Sequence, residues 1–288
     1  MKQNQKPQIS SPMRDLVRSL TPTAIFCISF IVVLIFIAVL APWLSPFRPS
    51  AILSDESYAF GTEKLFLGSD YLGRDMVSRL IYGLRITLGV TFLVSIFSFF
   101  VGCTFGFLAA AIGGVFDTII SRFVDALIAL PAIMIALIVI TALGSSLPVL
   151  IVTLALIDST RVFRVARALG MNIVVSDYVE AARVRGEGLK WIMWREIMPN
   201  AFGPLAAEFG IRFTYAILFI SALGFLGLGM QPPHADLGLL IRENMQGLLF
   251  GSFAPLYPAL VISMVTITIN ITVDWYLQQL DTALPDEL

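Results

Sequence analysis

The chain has 288 residues, of which 57% are hydrophobic and 14% are charged. Soluble domains carry roughly 25% charged residues, so this composition excludes an ordinary water-soluble fold. The net charge of −1 leaves no basic face for binding nucleic acid. Apolar runs occur along the whole sequence and no polar block is large enough to fold alone, so we predict one all-α integral membrane domain.

The N-terminal segment is polar, and an apolar run from Ser19 to Phe47 follows it. A signal peptide needs an apolar region of roughly 7–15 residues and a small-residue cleavage site. This run is longer and lacks such a site, so we expect it to stay as the first membrane helix. Residues 1–22 are therefore predicted to form a cytoplasmic tail, and residues 23–288 a single transmembrane domain.

Six segments are apolar enough to cross a bilayer, which takes about 20 helical residues. The predicted spans are Thr23–Leu44, Ile86–Ile112, Thr118–Leu143, Leu147–Ala168, Leu205–Leu228 and Phe253–Tyr276. Gly113-Gly114 and Gly144-Ser145-Ser146 predict tight connections, and Pro131 predicts a kink in the third span. Lys and Arg are concentrated on the side of the membrane that holds the N-terminus. This distribution predicts that both termini are cytoplasmic.

An outer loop, residues 45–85, is predicted between the first two spans. From Asp70 to Arg85, apolar residues such as Met76 and Leu80 fall on one half of a helical wheel, while Arg74 and Arg79 fall on the other. This pattern predicts an amphipathic helix along the outer membrane interface or over the helix bundle.

A hydrophilic cytoplasmic loop, residues 169–204, is predicted between the fourth and fifth spans. Asp177 followed by Glu180 indicates a helix start of capping-box type. Gly186 and Gly188 indicate a turn, and a second short helix over Leu189–Glu196 is predicted to end before Pro199. The run Trp191-Ile192-Met193-Trp194 on this hairpin either contacts a partner protein or rests on the lipid interface.

Several of these residues resemble family motifs. Glu180-Ala181-Ala182, Gly186 and Ile197-Met198-Pro199 resemble the EAA loop of bacterial ABC importer permeases. The outer motif Leu67-Gly68-Ser69-Asp70 with Gly73-Arg74-Asp75, and the later Phe225-Leu226-Gly227-Leu228-Gly229, are similar to the dipeptide/oligopeptide/nickel class of these permeases. The resemblance implies an EAA-type coupling helix-turn-helix that docks on an ATPase subunit through Glu180, Ala181, Ala182, Arg183, Gly186, Leu189, Trp191 and Pro199.

The resemblance also implies a function and partners. It implies a pore-forming permease subunit of an ATP-driven importer for di- or oligopeptides in the bacterial inner membrane, and a transporter subunit rather than an enzyme. The implied partners are a second homologous permease, two ABC ATPase subunits, an extracytoplasmic solute-binding protein and membrane lipid. The sequence has no G-x-x-x-x-G-K-[ST] loop, so ATP and Mg are expected on the ATPase subunits, with no cofactor or metal on this chain.

Two alternatives stay open at this point. A permease of the same class could carry nickel chelates, glutathione or opines instead of peptides. The chain could also be a secondary transporter that works without a separate ATPase, although such proteins are usually longer and built from repeats.

Ionisable residues within the spans suggest a gate or a path. Arg122 with Asp125, Asp158 with Arg161, and Glu208 with Arg212 have the spacing of neighbours on one helix face. A lone charge at mid-bilayer costs about 2.5–3.5 kcal/mol, so each couple is predicted either to form an ion pair or to contact water, as structural pairs or as part of an inner gate. The candidate gate or path residues are Asp125, Asp158, Arg161, Asn270 and Asp274, the last two as path-lining or as packing and interface residues. Gly224, Gly227 and Gly229 are predicted to allow close packing.

Overall fold

The computed structural model describes residues 21–61, 65–231 and 234–283. Residues 1–20 of the predicted N-terminal tail lie outside the described residues. The described helices are α1 Pro22–Val39, α2 Ala41–Leu44, α3 Met76–Ile112, α4 Gly114–Ala129, α5 Ala132–Leu143, α6 Leu147–Val174, α7 Asp177–Val184, α8 Leu189–Trp191, a π-helix Ile192–Ile197, α9 Met198–Phe225, α10 Leu237–Asn244, a 3₁₀-helix Met245–Phe250 and α11 Leu256–Ala283. Within these ranges the only β structure is two isolated bridges in the outer loop, so the all-α prediction is confirmed.

Four helical segments are long and apolar enough to cross a membrane, namely α1, α3, Leu189–Phe225 and Leu256–Leu280, and the α4–α5 pair adds a fifth, bent span. The fourth predicted span also forms an uninterrupted helix, α6. It carries four charged residues, Asp158, Arg161, Arg164 and Arg167. With this many charges, α6 cannot be recognised as a membrane span from its composition alone. The polypeptide is therefore a multi-pass membrane protein.

The second span begins earlier than predicted. Asp75 caps α3 by accepting hydrogen bonds at Oδ2 from the amide of Ser78, at 2.8 Å, and from its hydroxyl, at 2.6 Å. The helix then runs without interruption to Ile112. The predicted separate interfacial helix over Asp70–Arg85 is therefore wrong, because its second half forms the first turns of α3. Its polar half is also buried: Arg74 and Arg79 are 7% and 3% exposed.

The third span is broken at Pro131. Helices α4 and α5 meet at an angle of 86°. Proline lacks an amide hydrogen and disfavours the helical conformation in the residue before it, and Leu130 is accordingly extended, with φ −84° and ψ 139°. The continuous span Thr118–Leu143 is thus corrected to two short helices, although the position of the bend was predicted.

The core is centred on the pair α3 and α6, which make the most extensive helix contact in the described chain. Glycines allow their close approach: a Cβ added to Gly102 would lie 2.6 Å from Cβ of Val162, and one added to Gly106 would lie 2.9 Å from Cβ of Ala166. Small residues of this kind let membrane helices pack tightly. Cys103 lies in the same cluster and is buried and unbonded.

The predicted cytoplasmic loop is mostly helical. The span before this loop, α6, extends to Val174. The N-cap of α7 is Ser176 rather than Asp177, and its side chain makes no capping hydrogen bond. The second helix does not end before Pro199. It continues from α8 through the π-helix into α9, where Pro199 occupies the first turn. The wider π-helical turn accommodates a residue that lacks an amide donor, so the fifth span is one helix from Leu189 to Phe225.

Candidate functional site

We call residues 175–199 the coupling hairpin, and its first helix, α7, is fixed to the bundle by one apolar face. Val179 and Ala182 are fully buried. Val179 belongs to a hydrophobic cluster that includes Phe107 and Ala111 of α3 and Ile197 of the π-helix. Of the predicted Glu180-Ala181-Ala182 motif, Ala182 therefore serves to seat the helix, whereas Glu180 and Ala181 lie on its exposed face.

The opposite face of the hairpin exposes apolar side chains. Val184 is 83% exposed, and Tyr178, Leu189, Trp191 and Trp194 are each about two-fifths exposed. The prediction that the run Trp191-Ile192-Met193-Trp194 forms one contact surface is corrected in part. Ile192 and Met193 point inward and are 3% and 5% exposed. Pro199 is exposed at the base of the hairpin. The exposed apolar side chains are a candidate contact for a partner protein.

Gly186 shapes the turn between the two arms. Its φ of +82° is the left-handed conformation that glycine adopts most easily. The amide of Gly186 donates to the carbonyl of Arg183 at 2.9 Å, and the amide of Glu187 donates to the carbonyl of Ala182 at 3.1 Å. These two bonds are the Schellman arrangement that ends a helix. The positive φ therefore explains why glycine occupies this position, which is also part of the motif that the sequence resembles.

Polar contacts hold the hairpin against the rest of the chain. Arg183 donates from Nη2 to the carbonyl oxygen of Ala111 at 3.1 Å, which links α7 to the C-terminal end of α3. Arg195 stacks on the ring of Trp191 at 4.9 Å. The guanidinium of Arg185 lies 3.9 Å from the carboxylate of Glu196 in the second arm. The hairpin is thus one packed unit rather than a loose loop.

A second candidate region lies inside the bundle, around Asp158. Its Oδ2 accepts a hydrogen bond from the hydroxyl of Ser98 at 2.9 Å. The predicted Asp158–Arg161 ion pair is wrong: among the described residues, the Arg161 side chain makes no hydrogen bond and no ion pair within 4.0 Å. Instead Asp158 and Arg161 both line a cavity of about 300 Å³ beside α9.

Arg161 also borders a larger apolar cavity of about 540 Å³ between α4, α5 and α6. The bend at Pro131 opens this space, since the two halves of the broken span diverge there. Arg161 is therefore a cationic group shared by two cavities; among the described residues it makes no direct ion pair, although Asp158 faces the same cavity. The sequence alone did not reveal this, because the spacing favoured pairing with Asp158.

The other predicted pairs have mixed outcomes. Glu208 and Arg212 form the predicted ion pair, at 2.5 Å. The Arg122–Asp125 pair is wrong, because Asp125 instead contacts Arg164 of α6 at 2.6 Å, and both side chains are about half exposed. The structure also shows a partly buried bidentate pair between Arg167 and Asp117. Its partners are on different helices, so no local spacing could have predicted it.

Asn270 and Asp274 lie on the exposed face of α11. Neither side chain has a hydrogen-bond partner within the described ranges. The structure therefore brings Asp158 and Arg161 to one cavity and leaves Asp125, Asn270 and Asp274 elsewhere on the surface of this subunit.

On the outer side, four charged residues form a buried cluster that the sequence did not predict. We call Asp70, Arg74, Arg79 and Glu243 the outer ion cluster. Asp70 Oδ2 lies 2.6 Å from both Arg74 Nε and Arg79 Nη1, and Glu243 Oε2 lies 2.8 Å from Arg79 Nη2. Burial raises the pKa of Glu243, although Arg74 opposes the shift. The cluster ties the outer loop to α10.

The predicted close packing of Gly224, Gly227 and Gly229 is confirmed, but the partners are side chains of the outer segment rather than another span. A Cβ at Gly224 or Gly229 would overlap the carboxylate of Asp236, and one at Gly227 would overlap the guanidinium of Arg242. Asp236 caps α10 by accepting from the amide of Leu239 at 2.9 Å. Burial raises the pKa of this carboxyl.

Comparison with known proteins identifies relatives over nearly the whole chain. The dipeptide transport system permease protein DppC of Haemophilus influenzae is 32% identical over 91% of this chain and 90% of that protein. The protein of the same name from Escherichia coli strain K12 is 34% identical, with 91% and 89% covered. The di/tripeptide transport system permease protein DppC of Pseudomonas aeruginosa is 31% identical, with 95% and 93% covered.

A solved structure shares the fold. The crystal structure of an amino acid ABC transporter with histidines aligns with a TM-score of 0.52, at 19% identity, over 72% of this chain and 95% of that chain. Residues 102–284, which include the coupling hairpin, Asp158 and Arg161, match the family model described as binding-protein-dependent transport system inner membrane component. The chain therefore belongs to this family, as a permease subunit of an ABC importer and not an enzyme.

Proposed function

We propose that this permease carries dipeptides and short oligopeptides across the bacterial inner membrane, with both termini in the cytoplasm. The printed names of the relatives, which describe dipeptide and di/tripeptide transport, support the peptide class. The distribution of Lys and Arg supports the orientation, because positive residues are favoured on the cytoplasmic side.

The coupling hairpin is the proposed docking site for an ABC ATPase subunit. The observation that carries this is the exposed apolar face of the hairpin, above all Val184 at 83% exposure. An apolar patch of this kind on a polar surface is typical of a protein contact. The contact residues are Glu180, Ala181, Leu189 and Trp191 on the exposed face, with Ala182, Arg183, Gly186 and Pro199 holding its shape.

Movement of the hairpin would reach the membrane spans by two connections. The first is α7, which is seated on α3 by Val179 and Ala182 and by the bond from Arg183 to Ala111. The second is the uninterrupted helix from Leu189 to Phe225, which joins the hairpin directly to the fifth span. ATP and Mg bind to the ATPase subunits, and closure of those subunits shifts the bundle between inward-open and outward-open states.

The proposed complex contains a second homologous permease, two ATPase subunits and an extracytoplasmic solute-binding protein. Asn270 and Asp274 support a neighbour on the exposed face of α11, because polar side chains facing lipid are unfavourable. Asp158 and Arg161 are the proposed path residues, and Asp125 with Arg164 is a structural pair at the protein surface.

The test is peptide uptake by proteoliposomes that contain the assembled complex, with ATP inside and the binding protein outside. Val184→Asp places a charge in the proposed contact and should abolish retention of the ATPase and ATP-dependent uptake. The matched control is Phe60→Asp, which changes a side chain with 80% exposure in the outer loop and should leave ATPase retention unchanged. Retention of the ATPase and normal uptake by Val184→Asp would refute the docking assignment.

A further inference from the structure

A groove on the lateral surface of the bundle is lined by α1, α3, α9 and α11. It encloses about 530 Å³ and its walls are apolar except for one residue, Arg85. On α3 the lining residues Arg85, Leu88, Gly89 and Phe92 recur with the spacing of one helix face. Gly89 opens the groove, because a Cβ added there would meet no atom within 4 Å.

The one charged residue of the groove lies at one of its ends. Neighbouring spans are antiparallel, so Arg85 and Val39 lie at its outer end, while Phe92 and Ile31 lie deeper. Ile112, at the inner end of α3, is about 40 Å further along the helix at 1.5 Å per residue. That distance is close to the thickness of a bilayer with its headgroups, about 40–45 Å. Arg85 is therefore at the level of the outer headgroups and the apolar walls are at the level of the acyl chains.

The charge of Arg85 is not neutralised by the protein. Its side chain is exposed, and within residues 21–61, 65–231 and 234–283 it forms no hydrogen bond and no ion pair. Arg79 and Arg74, which precede Arg85 in the chain, are by contrast bound to Asp70 and Glu243. A lone guanidinium above an apolar groove complements an anionic headgroup above an acyl chain.

We propose that this groove binds an anionic phospholipid of the outer leaflet, with its phosphate on Arg85 and the upper part of one acyl chain against Leu88, Gly89 and Phe92. The deep end, closed by Phe92 and Phe213, limits the enclosed stretch of chain to roughly 10 Å, about seven residues of α3. The remainder of the chain continues in the bilayer. The lipid fills the space between α1 and α3 and so fixes α1 on the bundle.

The experiment uses the assembled complex in nanodiscs that contain phosphatidylcholine with a small fraction of photoreactive phosphatidylglycerol, its diazirine placed in the upper acyl chain. Mass spectrometry of peptides from α1 and α11 locates the cross-links. Wild type should cross-link at the groove more with photoreactive phosphatidylglycerol than with the same amount of photoreactive phosphatidylcholine. Arg85→Gln should lower the phosphatidylglycerol yield about fivefold, the effect of one basic residue near an anionic lipid.

Two further variants separate the outcomes. Gly89→Leu fills the groove and should lower cross-linking by both lipids. Arg122→Gln removes another exposed arginine, on the opposite side of the membrane by the predicted topology, and should change neither. Equal yields for the two lipids in wild type, an unchanged yield in Arg85→Gln, or no lipid cross-link at the groove in wild type would each overturn the proposal. Size-exclusion chromatography of each variant complex checks that assembly is intact.

Discussion

Arg183 on the coupling hairpin donates a hydrogen bond to the carbonyl oxygen of Ala111, 3.1 Å away at the inner end of α3. The two residues are far apart in sequence, and their bond joins the proposed ATPase contact to α3, a span of 37 residues. It lies beside the buried seat formed by Val179 and Ala182. A displacement of α7 would therefore be passed to α3 at this point.

Replacing Arg183 with Ala should weaken this transmission. A single hydrogen bond at a partly exposed site contributes about 1 kcal/mol, which corresponds to a change of about fivefold in an equilibrium constant. We expect ATP-driven uptake to fall by about this factor while the ATPase stays bound and active. The control is Lys190→Ala, an exposed basic residue of the second arm. Equal uptake by the two variants would show that the bond does not transmit the movement.

Gly186 should tolerate only residues that adopt a positive φ. Gly186→Val forces a branched side chain into the left-handed conformation, at a cost of roughly 1–2 kcal/mol or more, and should disrupt the turn and the binding of the ATPase. Gly186→Asn should retain most binding, because Asn adopts this conformation more readily. Gly188, with φ −76° and open space around it, provides the control: Gly188→Ala should bind normally. The measurement is co-purification of the ATPase. Loss of binding in Gly188→Ala but not in Gly186→Val would contradict the account.

Arg161 and Asp125 should respond differently to neutralisation. Arg161 faces two cavities and makes no direct ion pair in the described part of the chain, so Arg161→Gln should lower the rate of peptide uptake while ATPase binding persists. Asp125→Asn breaks a surface pair with Arg164, whose worth is about 0–1 kcal/mol, and should leave uptake near wild type. Uptake measured in proteoliposomes decides between them. A large defect in Asp125→Asn with normal uptake by Arg161→Gln would reverse the assignment of path and structural residues.

The sequence predicted the features that depend on local chemistry. Apolar runs located the spans, Pro131 located the bend, and Gly113 and Gly144 located the connections, because each depends on a few adjacent residues. It failed where partners come from distant segments. Asp125 had a suitable neighbour in Arg122 but pairs with Arg164. Arg74 and Arg79 were placed on the polar half of a helix, and their contact with Glu243 was missed because Glu243 lies far along the chain.

The coupling hairpin contains one correct prediction and one wrong one. Glycine at position 186 predicted the turn correctly, since the conformation is intrinsic to that residue. Pro199 did not end the second arm, because the π-helix before it supplies a backbone geometry that tolerates the ring. No single-residue rule anticipates that insertion.

Removing Asp70 should destabilise the outer side of the protein. It is fully buried and contacts both Arg74 and Arg79 at 2.6 Å, so Asp70→Asn leaves two buried guanidinium groups with too few carboxylates. Breaking a buried ion pair in this way costs about 3–5 kcal/mol. We expect a lower unfolding temperature of the purified complex and faster proteolysis of the outer loop. Glu56→Gln, at an exposed position of the same loop, should match wild type. Equal unfolding temperatures for the two variants would show that the outer ion cluster contributes little.

The most direct test of the account is where the tip of the coupling hairpin lies in the assembled complex. The native Cys27 and Cys103 are buried, so a cysteine introduced by Val184→Cys can be addressed selectively with a thiol cross-linker. The account predicts a cross-link from this position to an ATPase subunit and none from Phe60→Cys in the outer loop. Labelling of Val184→Cys by a membrane-impermeant maleimide from outside the cell, with no cross-link to an ATPase, would contradict it.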